Sequence, residues 1–236
     1  MLEQIGARPT AGPFPGWRHG RPRRPTAGYW ARLVVWKLAR RRHDPRTVVA
    51  KWLFGLRAEL QLTSDFGRCV WVAGAFEPNE FALLGDLLGG EDVFVDVGAN
   101  AGLYSLAAAR IVGARGRVLA FEPSRREREL LEANVARNGL ANVVVDARAV
   151  GASDGDLVVL HVADAEHGGH NTLGSLVYDA VEVVDEQEVT LTTLDTALSE
   201  QDRGRVSVVK IDVEGAELGV LAGAEKLLSV RRPVIL

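Results

Sequence analysis

The chain is poor in cysteine. Cys69 stands alone among 236 residues, so no internal disulfide framework can form, and the composition fits a reducing compartment. Long apolar runs are also missing: none approaches the roughly 20 residues that span a bilayer. The opening stretch, MLEQIGARPTAGPFPGW, lacks the basic-then-apolar order of a signal peptide. The expectation is a soluble, cytoplasmic protein. No internal repeat is present, and the acidic C-terminal three-quarters carries no basic stripe interleaved with aromatics, so nucleic acid is not the expected partner there. What remains is 47% hydrophobic and 25% charged residues, the composition and length of one globular domain plus an extension.

Charge divides the chain. Residues 1–60 hold 13 Lys/Arg against 3 Asp/Glu, net +10, whereas residues 61–236 hold 15 against 28, net −13. Within the first part, residues 1–28 read as a disordered basic arm, because the Gly, Pro and Arg of 6–28 follow no period. Residues 29–70 read as a helical extension. YWARLVVWKLARRR (29–42) places Trp30, Leu33, Val34 and Leu38 on one side, and Val49, Trp52, Leu53, Leu56 and Leu60 recur at helical spacing for a second helix. Such a basic amphipathic element suits an anionic membrane surface, a nucleic acid or an acidic partner. It equally suits a cap helix packed on the main domain, and periodicity does not separate the two.

Residues 71–236 read as one α/β domain. A short helix at PNEFALLGDLLGG (78–90) precedes VFVDV, a helix at about 101–111, RVLAF (117–121), a helix at 124–138, and NVVVDARAV (142–150). Ser124 and Glu127 have capping-box spacing, and Asn138-Gly139 supplies a left-handed stop. Short apolar strands alternating with helices predict a doubly wound, mostly parallel sheet covered on both faces. DLVVLHV and EVTLTTL around the loop AEHGGHNTLGS predict a β-rich, hairpin-like insertion. The alternation resumes with VSVVKI (206–211), a helix across AELGVLAGAEKLL and the terminal PVIL. On this pattern the sheet is expected to be incomplete at its C-terminal end.

The chemistry concentrates at VFVDVGANAGLYSLAAARI (93–111). In doubly wound sheets a ligand lies beyond the C-terminal strand ends, and glycines in the first turn let backbone approach it. The turn holds Asp96, Gly98, Asn100 and Gly102, which is neither the GxGxxG dinucleotide fingerprint nor a P-loop. A carboxylate there would repel a pyrophosphate and favour an ammonium or sulfonium group, and S-adenosylmethionine carries both and has no phosphate. Glu122, ending the next strand 20 residues past Gly102, stands where an acid accepts hydrogen bonds from ribose hydroxyls. That position alone does not separate S-adenosylmethionine from NAD.

With these residues in view, the sequence resembles the FkbM-type family of S-adenosylmethionine-dependent methyltransferases. The matching stretches are GAFEPNE (74–80), VFVDVGANAGLYSL (93–106), AFEPS (120–124), AVG (149–151), TLDTAL (193–198) and VVKIDVEGAELGVLAGA (208–224). The resemblance covers about residues 70–236. It implies a class I methyltransferase fold, S-adenosylmethionine as cofactor, and O-methylation of a small-molecule or glycan hydroxyl on a sugar, polyketide or related natural product. Methyl transfer to a hydroxyl is an in-line displacement that needs a positioned base. Asp212, directly after VVKI, and Glu214 are the expected base or acceptor-positioning groups, with Lys210 as charge partner. Glu214 and Glu217 alternatively serve only the helix N-terminus. His167, His170 or Asn171 are candidate acceptor contacts, with His170 a further candidate base, and an ordinary polar loop is the alternative. An HGGH spacing without further ligands does not build a metal site, so no metal is expected. Two alternatives are a non-catalytic relic that binds S-adenosylmethionine, and a nucleic-acid methyltransferase guided by the basic arm.

Overall fold

The computed structural model describes residues 27–43, 46–174 and 182–236. Residues 1–26 of the basic arm lie outside the described residues, and Ala27 and Gly28, read as its end, already open helix α1 (Ala27–Arg41). The second helix expected from Val49, Trp52, Leu53, Leu56 and Leu60 is not formed. That segment is an antiparallel hairpin of β1 (Thr47–Lys51) and β2 (Arg57–Gln61), pairing Thr47 with Gln61 and Lys51 with Arg57. The reason is local: Phe54 and Gly55 adopt φ of 55° and 76°, a reversal no helix contains, and Thr47, Val48 and Val49 are β-branched. Trp52, Leu53, Leu56 and Leu60 are nevertheless all buried, so the apolar spacing reports the core they share and not the element that delivers them.

After a one-turn π-type segment (Arg68–Ala73) ended by Gly74, the chain enters the main domain through α2 (Pro78–Leu87), β3 (Val93–Val97), α3 (Leu103–Val112), β4 (Arg117–Phe121), α4 (Arg125–Arg137) and β5 (Val143–Asp146). The insertion follows as β6 (Ala149–Val150), β7 (Leu157–Ala163) and β8 (Val183–Thr192), with β7 and β8 antiparallel. Then come β9 (Val206–Ile211), α5 (Glu217–Ala222), α6 (Glu225–Val230) and β10 (Val234–Ile235). The single helix expected across AELGVLAGAEKLL is thus two, divided near Gly223, where a Cβ would lie 2.1 Å from the Gly151 carbonyl oxygen.

The central sheet runs β10-β9-β3-β4-β5, every pair parallel. Both faces are covered. Val93, Val95 and Val97 turn to one core with Val206, Val209, Val220 and Leu227, while Phe94 turns to the other with Leu106, Phe81, Leu56 and Leu60. The N-terminal hairpin therefore contributes to the main core. From β3 the chain winds outward through β4 and β5, then returns to place β9 on the other side of β3. That reversal opens a crevice at the strands' C-terminal ends.

Helix α4 binds the hairpin through two amides. Asn134, fully buried, accepts from Glu59 N at 2.6 Å and donates to the carbonyls of Glu59 and Ala101, both at 2.9 Å. Asn138 accepts from Arg57 N at 2.9 Å and donates to its carbonyl at 2.8 Å. Asn134→Ala leaves buried backbone groups unpaired and is expected to cost about 2 kcal/mol of stability in urea unfolding; an unchanged midpoint would mean the hairpin is held by its leucines alone. Among the described residues, no helix is long and apolar enough to cross a membrane.

Candidate functional site

The C-terminal ends of β3, β4 and β9 open into a cleft of about 970 Å³, its mouth included. Its floor is the turn 98–101. Glu122 and Pro123 form one side, and Asp212, Val213 and Glu214 another. Phe66 and Phe76 line it from before the central sheet and Tyr104 from α3, and Gly168, Gly169 and Thr172 of the insertion loop lie across it.

The turn owes its shape to backbone approach. Gly98 has φ 78°, and a Cβ there would meet the Asp212 carbonyl oxygen at 2.1 Å. Asn100, at φ 52°, is a residue type that tolerates the left-handed region. Its Oδ1 accepts from Ala101 N at 2.7 Å and its Nδ2 donates to the Gly168 carbonyl at 2.9 Å, so it clips the insertion loop over the cleft. Gly102 has φ 87° and faces away from the cleft, where a Cβ would lie 2.3 Å from Leu131 Cδ1. Its role is to let α3 and α4 pack.

Glu122 is 5% exposed. Its Oε2 accepts from Asn100 N at 2.7 Å and its Oε1 from Ser124 N at 2.9 Å. A capping box would have given the Ser124 N–H to Glu127; here Glu122 takes it, and Glu127 accepts instead from the Ser124 hydroxyl. Burial pushes the Glu122 carboxyl up to about 7, Glu127's charge adding to the rise and the two backbone donors opposing it. A carboxylate offers about four acceptor sites. Two are used by the backbone, and the rest suit a pair of neighbouring hydroxyls.

Asp96 lies beneath the cleft wall and does not line it. Strand alternation turns its side chain toward α3, where Oδ2 accepts from Ser105 Oγ at 2.6 Å and Oδ1 faces Lys210 Nζ at 3.8 Å. It is fully buried, which raises its pKa, while Lys210 and Ser105 oppose that rise. Lys210 is paired across the sheet with Asp96, donates to Asp212 Oδ2 at 3.0 Å and sits 4.8 Å over the Tyr104 ring. The Tyr104 hydroxyl donates to Glu77 at 2.7 Å, and burial, then that bond, push the phenol well above its usual pKa. Asp212's side chain is 68% exposed. Glu214 Oε1 stands 3.1 Å from His170 Nδ1, and the Glu214 carbonyl accepts from Thr172 Oγ1 at 2.7 Å.

The arrangement joins a buried carboxylate on one side of a switch-point crevice to an open carboxylate, held by a lysine, on another. Residues 96–236, which include the turn, Glu122, Asp212 and Glu214 but not Phe66 and Phe76, match the Methyltransferase FkbM domain. The chain belongs to the FkbM methyltransferase family. It is 33% identical over 158 residues to methyltransferase sdnD of Sordaria araneosa, covering 56% of this chain and 60% of that protein. It is 31% identical over 189 residues to the AMB antimetabolite synthetase AmbE of Pseudomonas aeruginosa, covering 64% of this chain and 8% of that protein. A crystal structure of the methyltransferase FkbM from Methylobacillus flagellatus KT aligns over 63% of this chain and 32% of that one, with 18% identity and a TM-score of 0.44.

In this FkbM-family chain the sequence-predicted residues divide. Gly98, Asn100 and Glu122 line the cleft with Asp212 and Glu214, and His170 reaches it through Glu214. Asp96 and Gly102 stand behind it as supports. His167 is turned to Asp164, Nδ1 to Oδ2 2.8 Å, whereas Asn171 lines the cleft and accepts from Ala163 N. Among the described residues no group of three His, Cys, Asp or Glu side chains is placed to hold a metal ion. Phe66, Phe76 and Tyr104 line the cleft without a sequence pattern that marks them for it. Phe76 falls within GAFEPNE, but only the fold shows that it stacks edge-on with Phe66 at 5.1 Å and brings the extension to the cleft.

Proposed function

We propose that this FkbM methyltransferase uses S-adenosylmethionine to methylate a hydroxyl oxygen of a small-molecule or glycan acceptor. The observation that carries the reading is the placement of Glu122 and Asp212 on different walls of one cleft, the first buried and the second open. When bound, S-adenosylmethionine supplies an electrophilic methyl group on a sulfonium sulfur. The residues present fit it: Glu122 retains acceptor capacity for two ribose hydroxyls, and the glycine-containing turn offers backbone without side chains at Gly98. Asp212, exposed at the cleft mouth and steadied by Lys210, takes the acceptor's hydroxyl proton on its free Oδ1. Glu214 is already engaged by His170, so this pair orients the acceptor or relays the proton onward. The antimetabolite synthetase among the relatives supports a natural-product acceptor.

Calorimetric titration with S-adenosylmethionine, S-adenosylhomocysteine and NAD tests the cofactor. The first two are expected to saturate and NAD is not; a folded chain that binds only NAD, or nothing, overturns the proposal. Saturable cofactor binding without turnover on any hydroxyl acceptor would leave a binding relic. Glu122→Ala should weaken S-adenosylmethionine by about 1 to 3 kcal/mol, the scale of a charge-assisted hydrogen bond. The pH dependence has a definite sign. Below about 7 the Glu122 carboxyl is protonated and has lost acceptor capacity, so affinity should fall as pH drops through that value and level off above it. The same fall persisting in Glu122→Ala would assign the titration to another group.

A further inference from the structure

Helix α1 has two apolar faces, and the described residues cover one. Trp36 and Ala39 are buried against Leu62 and Val72, with Leu33 and Tyr29 packed beside them. On the opposite side Trp30, Val34 and Leu38 recur every fourth residue with Val35 next to them, each 46–56% exposed. The helix cannot roll to hide this stripe. Trp36 has the guanidinium of Arg40 at 5.4 Å and that of Arg68 at 5.1 Å from its ring, and Arg40 Nε donates to Glu166 at 3.0 Å.

Charge identifies what the stripe meets. Residues 27–43 contain Arg32, Lys37, Arg40, Arg41 and Arg42 and no acidic residue, and residues 1–26 add five arginines against one glutamate. We propose that α1 docks the protein on an anionic membrane surface, with Trp30, Val34 and Leu38 entering the boundary between headgroups and acyl chains and Lys37, Arg41 and Arg42 meeting the anionic headgroups. An exposed apolar stripe flanked by cations, with tryptophan at its edge, is the pattern of a helix lying in that boundary. A nucleic-acid backbone offers nothing to Val34 and Leu38. The net −13 of residues 61–236 is repelled by the same surface, so contact is confined to the α1 side. Glu166, which Arg40 holds, lies two residues before Gly168 in the loop across the cleft, so the docked helix is tied to the cleft's cover.

The test uses the full 236-residue chain and is independent of methyl transfer. Flotation is compared on phosphatidylcholine vesicles and on vesicles of equal parts phosphatidylcholine and phosphatidylglycerol. The protein is expected to float with the anionic vesicles alone, and less so as salt rises. A Trp30→Ser/Val34→Ser/Leu38→Ser variant, which alters only exposed positions, and a separate Lys37→Glu/Arg41→Glu variant should each lower partitioning by about tenfold or more. Urea unfolding checks that both remain folded. Absence of binding to anionic vesicles, partitioning unchanged in both variants, or self-association that the serine variant abolishes would overturn the proposal. So would salt-dependent binding to RNA with none to vesicles.

Discussion

Alanine at Gly98 is expected to destabilise the protein by about 3 to 5 kcal/mol, the range of exceptional single substitutions. Two costs combine. The φ of 78° is strained for any residue with a Cβ, worth about 1 to 2 kcal/mol. The Cβ would also lie 2.1 Å from the Asp212 carbonyl oxygen and 3.2 Å from Val213 Cγ1, and neither side can easily move. Gly98 N and Ala99 N both donate to the Phe121 carbonyl at 3.0 Å, and Asp212 N donates to the Val97 carbonyl at 3.0 Å. Relief of the clash therefore breaks the bonds that define the cleft floor. Gly74 is the control: its φ of 75° and ψ of 12° are left-handed, and a Cβ there would meet nothing within 4 Å. Gly74→Ala should lose only the conformational cost. Equal urea midpoints for the two variants would show that the turn has room beside the Asp212 carbonyl for a methyl group.

Asp212→Asn is expected to lower turnover on a hydroxyl acceptor by about 10²- to 10⁴-fold, the usual contribution of a positioned general base. S-adenosylmethionine affinity should change little, because Glu122 and the turn, not Asp212, are assigned to the cofactor. Asparagine preserves the shape and can still accept from Lys210 Nζ, which now donates to Oδ2 at 3.0 Å, but it cannot take a proton. A parallel loss of cofactor affinity would show that Asp212 belongs to the binding site. Full turnover would move the base to Glu214, whose partner His170 lies 3.1 Å away. A Glu214→Gln variant then carries the loss instead.

The two ends of the chain differ in how readily their structure can be read. Strands β3, β4 and β9 have the bounds expected from VFVDV, RVLAF and VSVVKI, because a parallel strand buried on both faces is a short continuous apolar run between turn residues. The hairpin at 47–61 defeats the helical reading because leucines and valines at helical spacing can also converge from two strands and a tight turn. At Ser124 the capping-box spacing is present, but Glu122 competes for the same N–H, a contact between residues two apart that periodicity does not weigh.

The cleft follows the same division. Local order in the chain determined the doubly wound fold, the ends of its strands and the turn that carries Gly98, Asn100 and Glu122's neighbourhood, since strand periodicity and glycine's conformational freedom act over a few residues. Tertiary structure alone decided that Asp96 faces Ser105 and Lys210 beneath the wall, that Gly102 serves helix packing, and that Phe66 of the extension reaches the cleft beside Phe76. It also decided that α1 buries Trp36 while leaving Trp30, Val34 and Leu38 exposed. These outcomes depend on which surfaces meet across separations of tens of residues, and an amphipathic pattern states how much apolar surface a segment has, not what covers it.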